Sequence, residues 1–176
     1  MLLVADALIP HPRPRVFATY RDRLADLVDH LPNIRKIEVR SRTDRDGEVD
    51  LINEWTGGGD IPSVARSVLN ESMLRWTDHA TWFEEGFRVA WRTEIHAFPG
   101  AIRTSGTNRF LEVPEGTRLE VRGDFVCDAT KVPGVPRLLA GTVGGTIEKF
   151  MVAQIAKNAV EIARGVAKMI ERSPTP

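Results

Sequence analysis

The sequence predicts an α+β protein: a curled antiparallel sheet of seven strands wrapped around a long C-terminal helix, with two short helices after the first strand. Three observations carry this expectation. From Thr146 to Arg172, Ile147, Met151, Ile155, Ile162, Val166 and Met169 recur at steps of three, four or seven, which marks one face of an α-helix. Lys149, Lys157, Glu161, Arg164, Lys168 and Glu171 fall on its other side. Upstream, much of the chain from Ile37 to Cys127 alternates with period two between short turn signals, as antiparallel hairpins do. A sheet with one apolar face must cover that face, and only the last helix is long enough to do so.

Taken in order, Leu2–Ile9 reads as a strand that stops at Pro10. Pro12 and Pro14 suit the first turn of a helix, where a missing N–H costs little. Val16, Phe17, Tyr20, Leu24, Leu27, Val28 and Leu31 then mark a helical stripe that breaks in two near Arg21-Asp22-Arg23 and ends at Pro32-Asn33. Asp44-Arg45-Asp46-Gly47 turns a hairpin whose return strand, Glu48–Thr56, puts Leu51, Asn53 and Trp55 on one face. Asp60–Leu69, between the Gly57-Gly58-Gly59 stop and the next strand, reads as a short helix entered through Pro62. Strands follow at Trp76–Glu84 and from Phe87, Ile102 and Thr117, joined by turns at Glu85-Gly86, Pro99-Gly100 and Pro114-Glu115-Gly116.

Composition narrows the class. With 176 residues the chain suits one domain, expected over 1–172 with 173–176 as a flexible tail, and can bury roughly 70% of its unfolded surface. Lys+Arg and Asp+Glu are 24 each, so no global basic field attracts nucleic acid. Cys127 is the single cysteine, which excludes an intramolecular disulfide and a Cys-cluster zinc site. The four histidines lack metal-binding spacing, so no metal is expected. Gly57-Gly58-Gly59 matches neither a phosphate loop nor a dinucleotide fingerprint, and no cofactor is implied. No stretch reaches the ~20 apolar residues of a membrane span. A cytoplasmic protein without stable membrane insertion is the expectation.

The order of elements resembles the helix-grip fold of the START/SRPBCC superfamily, which includes pollen-allergen proteins, lipid-transfer domains and polyketide cyclases. Its carriers are the opening strand with Pro12-Arg13-Pro14-Arg15-Val16-Phe17, and the passage Leu31-Pro32-Asn33-Ile34-Arg35-Lys36-Ile37. Phe87-Arg88-Val89-Ala90-Trp91-Arg92, Gly116-Thr117-Arg118-Leu119-Glu120-Val121 and the terminal helix complete it. Within the superfamily the chain is most similar to bacterial polyketide cyclase/dehydrase-like proteins. The resemblance implies a cavity between sheet and helix that accepts a small or medium apolar ligand.

Several residues could serve such a cavity. Asp78 and His79 are adjacent in a strand, so they face opposite ways and cannot orient each other. Either could act alone, His79 as a general base near neutrality or Asp78 as a carboxylate in a dry cavity. The bland alternative is one surface residue and one hydrogen-bonded inner residue. Asn158 interrupts the apolar helix stripe beside Met151 and Ile155, and could bind a ligand or tie the helix to a strand. Asn53, Thr93 and Asn108 would give an apolar pocket its few polar contacts, with Phe110 on the same face. Trp55, Trp76, Trp82 and Trp91 could stack on a planar molecule or simply pack the core; Trp55, Trp82 and Trp91 are the ligand-binding candidates. The Pro/Gly-rich segment from Lys131 to Gly145 could form a lid, an intersubunit contact of a homodimer, or a membrane-touching lip.

Three classes of function fit these residues. The first is a carrier for a small hydrophobic molecule such as a lipid, isoprenoid or polyketide-like ring. The second is a cyclase, aromatase or dehydratase acting on a polyketide-like substrate by acid–base chemistry. The third is a protein-interaction domain of the co-chaperone kind.

Overall fold

A computed structural model describes residues 1–58 and 73–173. The short helix expected over Asp60–Leu69 lies outside the described residues. Seven strands form one sheet in the order β1-β7-β6-β5-β4-β3-β2, every neighbouring pair antiparallel. They are β1 (Leu2–Ile9), β2 (Ile34–Arg45), β3 (Glu48–Gly57), β4 (Arg75–Phe83), β5 (Arg88–Ile95), β6 (Ile102–Val113) and β7 (Gly116–Cys127). Gly47 takes φ 73° in the β2–β3 turn, a conformation that only glycine adopts without cost. Alternation survives in the burial of each strand. In β7, Thr117, Leu119, Val121, Phe125 and Cys127 are buried, while Arg118, Asp124 and Val126 are exposed.

The helical region after β1 is broken as its stripe suggests. Helix α1 runs over Arg13–Asp22, and Arg23 leaves helical geometry at φ −123° before a 3-10 helix, Leu24–His30. Val16, Phe17 and Tyr20 of α1 are buried. Phe17 meets Trp82, Phe87 and Phe110 edge-on at centroid distances of 5.2, 5.3 and 5.2 Å, and Tyr20 meets Trp82 at 5.2 Å. Edge-to-face pairs set the positive ring edge against a negative face and add to the burial gain. This aromatic cluster closes one end of the interior.

Helix α2 covers Ala140–Arg172, 33 residues. It begins six residues before the expected Thr146: Gly141, Gly144 and Gly145, taken as part of the Pro/Gly-rich entry, lie inside its first turns. Gly144 is there for proximity: a Cβ would stand 2.8 Å from the Cys127 carbonyl oxygen, so only glycine lets α2 start against the end of β7. Gly165 does the same against the 3-10 helix, where a Cβ would meet Leu27 Cδ2 at 2.9 Å. At the far end, the Arg15 guanidinium donates to the carbonyls of Ile170 and Ser173 at 3.1 and 2.7 Å, satisfying acceptors that a helix C-terminus leaves unpaired. Arg23 also donates to Ser173 Oγ at 3.0 Å. Ser173, expected to begin the tail, is therefore tied down, and 174–176 lie outside the described residues. Among the described residues no helix is long and apolar enough to cross a membrane.

The helix packs on β1, β7, α1 and the 3-10 helix. Burial along it is uneven. Ala159, Ala163, Val166, Met169 and Ile170 are buried on the main core, and Ala140 and Gly144 on Phe125, Cys127 and Ala129. Between these two clusters, Met151, Val152 and Ile155 are only half-buried.

Candidate functional site in the sheet–helix interior

The register assembles a polar row across the concave face. Asn53 of β3 pairs with Asp78 of β4, Asp78 with Thr93 of β5, and Thr93 with Thr104 of β6. Residues directly opposite one another share a face, so all four side chains project to the same side. One row further along, Trp55 pairs with Trp76, and their rings stack at 5.9 Å with an interplanar angle of 11°. On the other side of the polar row come Leu51, Ala80 and Trp91, and then Trp82, Val89 and Asn108.

Burial across this surface is uneven. Val49, Leu51, Trp82, Val89, Phe110, Leu119 and Val121 are buried at one end, and Phe125 and Cys127 at the other. Trp55, Trp76, Asp78, Trp91 and Thr93 also point inwards, yet they stay partly accessible, as do Met151, Ile155 and Asn158 of α2. These inward-facing side chains are not fully covered.

Asp78 is the ionisable centre of the row. Its carboxyl is pushed up to about 6, first by burial, with the hydrogen bond from Asn53 and the charge of His79 acting the other way. Asn53, fully buried, donates from Nδ2 to Asp78 Oδ2 at 3.2 Å. That bond fixes the amide orientation, since a carboxylate needs the NH2 side, and leaves Asn53 Oδ1 without a partner among the described residues. Thr104 Oγ1, Asn158 Oδ1, Trp55 Nε1 and Trp82 Nε1 are unpartnered in the same way. Each such group costs roughly 1–3 kcal/mol. Four of the five lie on the row, beside it or on the helix opposite, so the interior carries more polar capacity than the fold itself uses. The Tyr20 phenol is raised by burial and then by the Asp78 charge, which places α1 within electrostatic reach of that carboxylate.

The strand register brings Asn53, Asp78, Thr93 and Trp55 together on one face of the sheet, while Asn158, Met151 and Ile155 lie partly buried on α2. Trp91 donates from Nε1 to Asn108 Oδ1 at 2.9 Å, so these two satisfy each other. Trp82 and Phe110 sit in the aromatic cluster at the closed end. His79 stands apart on the outer face, its Nε2 3.4 Å from Glu94 Oε2. Arg103 and Arg109 are exposed. Sequence reasoning passed over Thr104 and Tyr20 as site residues, and named Trp76 only among the four tryptophans that could stack on a planar molecule. Thr104 shares the parity of Asn108 on its strand, but its alignment with Asp78 depends on the register of two hairpins. Trp76 shares the parity of Asp78, a signal that was present. Leu138 and Leu139, in the segment that leads into α2, are exposed.

No family model and no curated protein matches the sequence. Solved structures do match over nearly the whole chain. The protein TTHA0849 of Thermus thermophilus aligns at TM-score 0.68 and 19% identity, over 98% of this chain and 100% of that one. The Zhui aromatase/cyclase of Streptomyces sp. R1128 aligns at 0.64 and 17%, over 98% and 94%. Norcoclaurine synthase of Thalictrum flavum aligns at 0.58 and 13%, over 98% and 87%. At such identities the likeness is one of fold. The chain has the helix-grip fold that its sequence resemblance implied.

Proposed function

We propose that the chain binds a small, planar, largely apolar molecule in the cleft between the sheet and α2. The observation that carries this reading is the polar row Asn53–Asp78–Thr93–Thr104, set in an interior of tryptophan and aliphatic side chains that stays partly accessible. Ligand sites of this kind combine apolar walls with a few placed polar groups. The stacked Trp55 and Trp76 give a flat ring a surface to lie against. N-phenyl-1-naphthylamine, a neutral fluorescent aromatic, should bind saturably at one equivalent. Ile155→Trp, which fills the cleft from the helix side, should weaken it at least about tenfold. Unsaturable binding, or equal affinity in the variant, would remove the cleft reading.

A catalytic reading has its own observation, a carboxyl at about 6 that faces the cleft. A general base works best when its pKa lies near the working pH. In this reading Asp78 moves a proton for a cyclase- or dehydratase-type reaction, with Asn53 holding its Oδ2. The solved neighbours include an aromatase/cyclase and a synthase, which agrees with it. 5-Nitrobenzisoxazole tests it: a base takes the ring C–H proton, the N–O bond breaks, and a cyanophenolate leaves. The rate should rise with pH through about 6 and vanish in Asp78→Asn. Unchanged turnover in that variant would rule Asp78 out as the base.

A further inference from the structure

The cleft has a charge character that selects among planar aromatics. Among the described residues no Lys or Arg is buried. The guanidinium groups near the interior are engaged elsewhere: Arg21 with Asp22 and Glu84, Arg13 over the Phe87 ring and with Glu112, Arg15 at the end of α2. The nearest imidazole, His79, lies on the opposite face with Glu94. The nearest phenol, Tyr20, is held neutral. Among the described residues, Asp78 is therefore the charged group that a ligand would meet.

Its hydrogen bonding is incomplete. A carboxylate can accept about four hydrogen bonds. Among the described residues Asp78 receives one, from Asn53 Nδ2 to Oδ2. Thr93, directly across the strand pair, makes no hydrogen bond to it. An anion taken out of water with one donor gains from any further donor, and it repels a second anion strongly where the dielectric is low.

We infer that the ligand of this cleft is a planar aromatic that presents a hydrogen-bond donor, a hydroxyl or an ammonium, to Asp78 and carries no carboxylate. This rests on the cleft being a ligand site, as proposed above. It separates this chain from carriers of fatty acids or other anionic lipids, whose sites must supply a cation or a set of donors to the acid group. The Trp55–Trp76 stack on β3 and β4, one row from Asp78, sets the ring beside the donor.

Four probes share one ring system and differ at one substituent: 2-naphthol, 2-naphthylmethylamine, 2-methoxynaphthalene and 2-naphthoate. Calorimetric or fluorescence titration at pH 7.5 should give 2-naphthol and 2-naphthylmethylamine at least about tenfold tighter binding than 2-naphthoate, and about threefold tighter than the methoxy compound. In Asp78→Asn the penalty on 2-naphthoate and the advantage of the amine should both collapse to within about threefold. This variant removes an unfavourable buried charge and keeps an acceptor for Asn53, so it should fold. Equal or tighter binding of 2-naphthoate by the unaltered protein overturns the inference while leaving the cleft reading intact. So does an unchanged order of affinities in Asp78→Asn. Saturable binding of none of the four overturns the cleft reading and the inference together.

Discussion

Replacing Asp78 with Asn should stabilise the protein at neutral pH and much less in mild acid. Burial lifts the carboxyl from 3.8 to about 6, so the native state holds this proton more tightly than the unfolded chain. Between those two values the native state binds more protons than the unfolded one, and stability falls as pH rises. Each tenfold change in proton affinity is worth about 1.4 kcal/mol. Ionised Asp78 therefore costs the native state about 3 kcal/mol at pH 7.5, where both states are deprotonated. At pH 4.5 the native carboxyl is still protonated and the cost is about 1 kcal/mol. Asn keeps an acceptor for Asn53 Nδ2 and abolishes the titration. Asp78→Asn should thus gain about 2 kcal/mol on the parent protein between pH 4.5 and 7.5. Urea unfolding of both proteins at the two pH values measures this as a difference of differences. The lowered carboxyls of Asp22, Asp44, Glu54 and Asp128 are common to both proteins and cancel. A gap between the proteins that does not change with pH, or that narrows towards neutrality, would refute the burial of this carboxylate.

Two further outcomes follow from packing. A Cβ at Gly145 meets nothing within 4 Å, so Gly145→Ala should raise stability by up to about 1 kcal/mol through helix propensity. Gly144→Ala, one residue away, must push the Cys127 carbonyl from 2.8 Å and should lower the unfolding midpoint despite the same propensity gain; thermal unfolding of the pair separates the two effects. Burial also raises the Cys127 thiol to about 11, with Glu148 and Asp128 adding to it. Iodoacetamide at pH 8 should leave the native thiol largely unmodified and label it in urea, and rapid labelling of the native protein by mass spectrometry would contradict its burial.

Much of the fold was legible because period-two alternation and turn residues act locally. Val49, Leu51 and Asn53, or Leu119 and Val121, point inwards by parity alone. The start of α2 was not legible, because Gly141, Gly144 and Gly145 disfavour helix intrinsically and the contact that requires Gly144 comes from the end of β7, distant in sequence. The site was half legible. Asp78 and His79 had to face opposite ways, but which of them points inwards stayed open; the shared parity of Trp76, Asp78, Ala80 and Trp82 is the signal that would have decided it. What no local pattern holds is the register. Only pairing across three hairpins sets Asn53, Asp78, Thr93 and Thr104 in one row. Hydrogen bonding then distinguishes Trp91, engaged by Asn108, from Trp55, whose indole N–H is unpartnered.

The four tryptophans report most directly on where a ligand sits, because they mark different parts of the interior. Titration of 2-naphthol into 15N-labelled protein should shift the indole N–H resonances of Trp55 and Trp76, which lie one row from Asp78, and leave Trp82 in its aromatic cluster unmoved. Saturation that shifts neither Trp55 nor Trp76, or that moves Trp82 alone, would contradict a ligand site between the sheet and α2.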